Sequence, residues 1–153
     1  MDRERKLARY GRVREQLSGL LGKTPDLQAR MATVAALLYH KFDHYFWCGF
    51  YRLLDDDLVV GPYQGPLACQ VLAREKGVCW AAMQRRETVI VPDVRLFPGH
   101  IACDSRSLSE IVVPVRDASG AIIAVLDVDS DKTAQFDDED REGLEAVVAL
   151  LAN

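Results

Sequence analysis

The chain has 153 residues and a net charge of −4, a length that suits one domain with a core large enough to fold without disulfides or a structural metal. Its acidic balance argues against nucleic acid as a partner. No apolar run approaches the ~20 residues that span a bilayer, so no membrane partner is expected.

The polar N-terminus lacks an apolar signal core, and the expected location is the cytoplasm, where thiols are kept reduced. The four cysteines are therefore read as reactive, metal-binding or simply buried, not as a permanent staple.

A first helix is predicted from about Arg3 to Leu21. Leu7, Tyr10, Val13, Leu17 and Leu20 recur at helical spacing, and Arg3, Arg5, Lys6, Arg9, Arg12 and Arg14 form its solvated face. A second helix starts at Thr24-Pro25-Asp26, with Thr24 as N-cap and Pro25 at the first helical position, and runs to about Lys41. Tyr45 to Leu54 and Leu58 to Tyr63 then read as an antiparallel hairpin turning at Asp55-Asp56-Asp57. Val71 to Leu72 adds a short strand, Gly77 to Arg86 a short helix and Thr88 to Val91 a further strand. Asp93 to Leu108 has no clean period, and a loop that long in a compact domain is often functional. Ser109 to Arg116 and Ala121 to Asp129 form a second hairpin. The closing helix begins near Asp137, where an acidic first turn suits the helix dipole. Short connections imply a mostly antiparallel sheet, with the terminal helices together on one face in an α+β domain.

Cys48 lies mid-strand and reads as a small buried hydrophobe. Cys69, Cys79 and Cys103 lie in or beside irregular segments. No pair has the two-to-four residue gap typical of structural zinc, so no metal is expected. On spacing alone, these three cysteines are as compatible with chance as with chemistry. Their company favours chemistry. Cys103 is followed by Asp104, Ser105, Ser107, Ser109 and Glu110, and Asp127 and Asp129 share one face of an apolar strand. Two carboxylates on a buried face are expensive unless they serve a purpose, such as holding a charged amine or donating a proton. Gly61-Pro62-Tyr63-Gln64-Gly65-Pro66 brackets a polar–aromatic pair just after a strand.

Taken together, Trp47-Cys48-Gly49-Phe50-Tyr51, Gly61-Pro62-Tyr63-Gln64-Gly65, Gly77-Val78-Cys79, Val91-Pro92-Asp93-Val94, Phe97-Pro98-Gly99-His100-Ile101-Ala102-Cys103-Asp104, Ser109-Glu110-Ile111-Val112 and Val125-Leu126-Asp127-Val128-Asp129-Ser130 resemble the free methionine-(R)-sulfoxide reductases of the GAF-domain superfamily. The resemblance runs from about Leu27 to Leu151. It implies a single GAF domain over residues 1–153, with a six-stranded antiparallel sheet, helices on one face and a covered ligand pocket on the other. It further implies that Cys103 is the nucleophile, Cys69 the resolving thiol, and Cys79 an auxiliary thiol on the same flexible wall. Glu110, Asp127 and Asp129 match the family's substrate-binding carboxylates, and Trp47 and Tyr51 its aromatic pocket positions. Trp80 and Cys48 depart from the small residues usual at their positions.

The implied reaction is reduction of free methionine-(R)-sulfoxide through a sulfenic acid on Cys103 and a disulfide with Cys69. Glu110 would be the acid, since a buried carboxyl beside others holds its proton near neutrality. No bound cofactor is implied. Thioredoxin is the expected external reductant, and a homodimer is compatible with the family. The rival readings are a non-catalytic GAF module that binds a small ligand, and a redox sensor with no sulfoxide substrate.

Overall fold

The computed structural model describes residues 1–100 and 103–152. Ile101 and Ala102, inside the motif that leads into Cys103, lie outside the described residues.

Helix α1 spans Arg3–Leu20 and ends in a 3₁₀ turn at Leu21–Lys23. Helix α2 spans Leu27–Lys41. Its N-cap is Asp26, whose carboxylate accepts from the Ala29 N–H at 2.9 Å. The expected cap, Thr24, instead accepts from the Asp26 N–H at 3.2 Å, so Pro25 precedes the helix. Strands β1 (Trp47–Leu54) and β2 (Asp57–Gln64) follow. They join through Asp55 and Asp56, both at positive φ (48° and 68°), as the tight turn of a two-residue hairpin requires. Helix α3 (Gly77–Arg85), strand β3 (Val89–Val91), strands β4 (Ser109–Arg116) and β5 (Ile122–Ser130), and helix α4 (Asp138–Ala149) complete the chain.

The strands form one antiparallel sheet in the order β2-β1-β5-β4-β3. It has five strands, not the six expected. Val71 makes a single antiparallel bridge to Val59, flanked by hydrogen bonds from Val60 N–H to Gln70 O and from Leu72 N–H to Leu58 O. The segment around it is too short and irregular to extend that pairing into a strand.

Strand alternation divides the core in two. Cys48, Phe50, Ile111, Val113, Leu126 and Val128 face α1, α2 and α4. Trp47, Tyr51, Val112 and Val125 face the other way, onto Val78, Cys79 and Ala82 of α3 and onto Val94. The helices are therefore not all on one face. Topology explains α3: β2 and β3 are opposite edges of the sheet, so residues 65–88 must cross its face, and α3 is part of that crossing. Residues 92–100 and 103–108 then lie over the same face, tied down by Val94 N–H to Leu108 O at 2.9 Å and Leu108 N–H to Ser130 O at 2.8 Å. Two long connections thus converge above one patch of sheet. No helix among the described residues is long and apolar enough to cross a membrane.

Lys6, expected on the solvated face of α1, is buried and bonds through Nζ to Asp137 and Asp140, each at 2.9 Å. α1 and α4 lie close because position 143 is glycine; a Cβ there would come within 2.2 Å of the Tyr10 ring.

Candidate active site

The site is a small cavity of about 60 Å³ between the sheet and the two crossing connections. Trp47 and Tyr51 of β1, Glu110 of β4 and Asp129 of β5 supply its floor, while Ala68, His100 and Cys103 belong to the connections above. The register explains the floor. Glu110 pairs with Asp129, Asp129 with Trp47, and Asp127 with Gly49 and Val112, so the three carboxylates and the Trp47 ring project to the same side.

Trp47 stacks on Tyr63 and Tyr51, with ring centroids 5.2 and 5.8 Å away. Gly49 makes this possible, since a Cβ there would lie 2.7 Å from the Trp47 ring and 2.2 Å from Tyr63 Cβ. Tyr63 is part of β2, so the Gly-Pro-Tyr-Gln-Gly stretch is mostly strand, and the loop begins only at Gly65. The aromatic floor also holds that loop. Trp47 Nε1–H donates to Pro66 O at 3.0 Å, and the Tyr51 hydroxyl donates to Cys69 O at 3.4 Å.

Cys69 and Cys103, 34 residues apart, are joined by a disulfide with Cα atoms 5.4 Å apart. The bond links the connection before α3 to the one before β4. Cys103 is solvent-exposed. The neighbouring Asp104 is neutralised by Arg106, whose guanidinium donates to it at 3.0 and 2.6 Å and holds its pKa down at about 2. The exposed position and the compensated neighbour suit a reactive thiol.

Cys79 differs. It lies within α3, not on a flexible wall, and is 4% exposed. A thiol near a helix N-terminus is ordinarily acidified. Here burial, and then the charges of Asp127, Glu110 and Asp129, push its pKa well up, and the thiol donates to Asp127. Cys48 is fully buried on the helix-bearing face, away from the cavity. Trp80 packs at the edge of the α3 cluster and does not line the cavity.

Burial raises the pKa of all three floor carboxyls. For Glu110 the charges of Asp127 and Asp129 add to burial, and its carboxyl lies within hydrogen-bonding reach of both aspartates, to one of which its single O–H can donate. Bonds from Glu110 and Cys79 pull Asp127 part of the way back down. The three carboxyls therefore titrate as one set, in which burial and mutual repulsion favour retention of protons. Cys79 Sγ and carboxylate oxygens of Glu110 and Asp127 lie within 4.8 Å of one another. This grouping could gather a cation, and it comes from three separate elements that no ligand spacing in the sequence would join.

A family model described as GAF domain matches residues 24–153. The chain is 42% identical to the free methionine-R-sulfoxide reductase of Escherichia coli, over 93% of this chain and 86% of that one. The chain belongs to the GAF-domain free methionine-R-sulfoxide reductase family. A solved structure of the Neisseria meningitidis reductase in complex with its substrate superposes with a TM-score of 0.92 at 42% identity, covering 99% of this chain and 89% of that one. GAF domain-containing protein A of Dictyostelium discoideum is 46% identical over 94% of this chain and 90% of its own length.

The fold therefore brings together every site residue expected from sequence, with Cys79 and Asp127 just beneath the cavity floor. Sequence reasoning missed His100 as a lining residue; its only signal was a place three residues before Cys103. It also missed Tyr63 as the stacking partner of Trp47. A wider open groove of about 700 Å³ beside Arg86, Arg116 and Glu145, at the far end of β4, contains none of these residues.

Proposed function

We propose that this chain reduces free methionine-(R)-sulfoxide to methionine with its own thiols, Cys103 attacking and Cys69 resolving. The observation that carries this reading is the linkage of those two cysteines at a cavity floored by Glu110 and Asp129, with the Asp127 carboxyl buried just beneath. The reductase activity of relatives that match across nearly the whole chain supports it.

In the reduced enzyme Cys103 attacks the sulfoxide sulfur while Glu110 donates its proton to the sulfoxide oxygen. The sulfur–oxygen bond of the substrate breaks, methionine leaves, and the oxygen remains on Cys103 as a sulfenic acid. The Cys69 thiol then condenses with it. The new S–S bond replaces the S–O bond, and the oxygen departs as water. Two thiols supply the two electrons, and a thioredoxin-type dithiol regenerates them by exchange. Cys79, protonated and bonded to Asp127, orients the floor and is not a nucleophile.

The substrate's ammonium is the counter-charge that the carboxylate floor lacks, since no Lys or Arg is among the residues lining the cavity. A peptide-bound residue has no such ammonium, which accounts for a preference for the free amino acid. A cavity of about 60 Å³ has room for a few waters only. Reduction of the disulfide unlocks the two connections so that they part for substrate.

Cys103→Ser is expected to abolish methionine release from the free (R)-sulfoxide; normal turnover would refute the assignment. Cys69→Ser should release about one methionine per enzyme and then stop, as one thiol can take up a single oxygen. Repeated turnover with thioredoxin would make Cys79 the resolver instead.

A further inference from the structure

The acidic floor continues one layer deeper than the cavity. Glu110 and Asp129 line the cavity, whereas Asp127 and Cys79 do not. Asp127 is 6% exposed, and its Oδ1 is buried with no hydrogen-bond partner among the described residues. A buried acceptor left without a donor is costly and calls for a partner. A substrate ammonium coming from the cavity meets Glu110 and Asp129, and the amino acid that carries it is too large to follow into the layer beneath. A bare metal ion is not.

The residues of that layer are held by rigid elements. Cys79 is the third residue of α3, which packs across β4 and β5. Asp127 pairs with Val112, two residues along β4 from Glu110, so the two carboxyls are diagonal neighbours on one face. None of the three lies on the connections that cover the cavity. Among the described residues, Cys79, Glu110 and Asp127 are the group whose metal-ligating atoms gather within 4.8 Å of one another, and all three are buried. A tetrahedral zinc holds sulfur at about 2.3 Å and oxygen at about 2.1 Å, which sets its ligand atoms about 3.5 Å apart. Side-chain rotations close that difference, and a fourth position is left for water from the cavity that Glu110 lines.

The thiol selects the ion. Magnesium and calcium take oxygen ligands, whereas one sulfur with two carboxylates suits zinc and its thiophilic neighbours. We propose that Cys79, Glu110 and Asp127 form a site for a thiophilic divalent cation of the zinc class, whose occupancy blocks the pocket. On binding, the ion replaces the Cys79 thiol proton and the Glu110 proton, which pass to solvent, and no electrons move. A dication also relieves the like-charge crowding of the floor. The site stands on its own geometry. Its blocking role rests on the function proposed above, because the bound ion removes the acid and the counter-charge that sulfoxide reduction uses.

The test uses the Cys69→Ser/Cys103→Ser chain, which leaves Cys48 and Cys79 as its thiols and does not tie the connections together. Cys48 is fully buried on the opposite face. Titrated with Co2+, this chain should bind one ion and develop a thiolate-to-cobalt charge-transfer band in the near ultraviolet, and Zn2+ should displace the cobalt. Adding Cys79→Ser should remove the band. Adding Asp127→Asn instead, which keeps the thiol and nearly the same shape, should weaken Co2+ binding by more than about tenfold, as loss of even a supporting partner does. Free methionine-(R)-sulfoxide should compete with the ion. The inference is overturned if no band forms, if the band survives Cys79→Ser, if Asp127→Asn binds Co2+ as tightly as its parent, or if sulfoxide and ion bind without competing. The proposed function fails separately. A wild type that reduces no sulfoxide would bring that function down, while the cobalt band, which needs no turnover, would still support the metal site.

Discussion

Two groups of buried carboxylates lie on opposite faces of one sheet, and the protein treats their charge in opposite ways. On the helix-bearing face Asp140 is fully buried and fully partnered. Lys6 Nζ donates to it at 2.9 Å, the Tyr10 hydroxyl at 2.6 Å, and His44 Nε2 lies at 3.1 Å. The Asp137 N–H adds a further bond at 2.9 Å, closing a capping box at the start of α4. Burial alone would raise the Asp140 pKa, but His44, Tyr10 and Lys6 outweigh it and hold the carboxyl well below its ordinary range. Burial likewise opposes the Lys6 ammonium, and the bonds to Asp140 and Asp137 win. On the pocket face, among the described residues, Glu110, Asp127 and Asp129 have one another and the Cys79 thiol as hydrogen-bond partners, and all three pKa values rise. The comparison separates two uses of a buried acid. A carboxylate saturated with donors stabilises the fold, whereas carboxyls left short of donors are ready to bind a cation or give up a proton.

The largest effect should come from removing the proton on the pocket side. Glu110→Gln is expected to lower kcat by about 10²–10⁴-fold, the usual contribution of a positioned acid. Its thermal midpoint should hold or rise, because a strained buried acid is gone. An unchanged kcat would end the case for Glu110 as the acid. The mirror-image experiment is Asp140→Ala, which leaves the buried Lys6 with Asp137 as its one remaining acidic partner and takes the acceptor from Tyr10 and His44. It should cost about 3–5 kcal/mol in urea unfolding, with kcat per folded molecule preserved. A loss of kcat without a loss of stability would erase the distinction between the two clusters.

Smaller, but more diagnostic, is the pH dependence of stability. Asp140 has a lowered pKa, so its contribution is present above the ordinary carboxyl pKa of 3.8 and is lost as pH falls below it. Glu110 and Asp129 have raised pKa values, so theirs is fully present below about pH 4 and is lost as pH rises through those values. Unfolding free energy measured across pH should therefore show two limbs, each with a slope of up to about 1.4 kcal/mol per pH unit for every titrating group. Asp140→Asn should flatten the acid limb, and Glu110→Gln the limb at higher pH. If both substitutions flatten the same limb, the opposition drawn here is wrong. The smallest effect is expected from Cys48→Ala, which trims a helix-face core side chain by one sulfur. About 1 kcal/mol of stability should go, with turnover untouched; a kinetic defect would tie Cys48 to the pocket after all.

Much of this was legible in the chain itself. Helical spacing placed α1 and α2, β-favouring runs bounded by turn residues placed β1, β4 and β5, and the acidic first turn placed α4, because these local signals reflect the conformations their residues prefer. The resemblance carried by the motifs around Cys103, Glu110 and Asp127 named the site. Local signals also misled. Thr24-Pro25 looked like a cap, yet Asp26 one residue later has the better geometry. Val71-Leu72 looked like a sixth strand, yet it manages one bridge. Lys6 looked solvated, yet Asp140, 134 residues away, draws it inside.

The sequence by itself determined which residue types were present and which face of each strand they share. Tertiary structure alone decided who their partners are. Strand order forces two connections across one face, which is how Cys69 meets Cys103 and how His100 comes to overhang the floor. The same arrangement puts the Cys79 thiol, expected from the sequence only as an auxiliary thiol, against Asp127, to which it donates a hydrogen bond. Protonation follows suit. Asp127 and Asp140 are identical side chains with opposite shifts, because a carboxyl's pKa is set by the donors and charges folded around it and not by its neighbours in the chain.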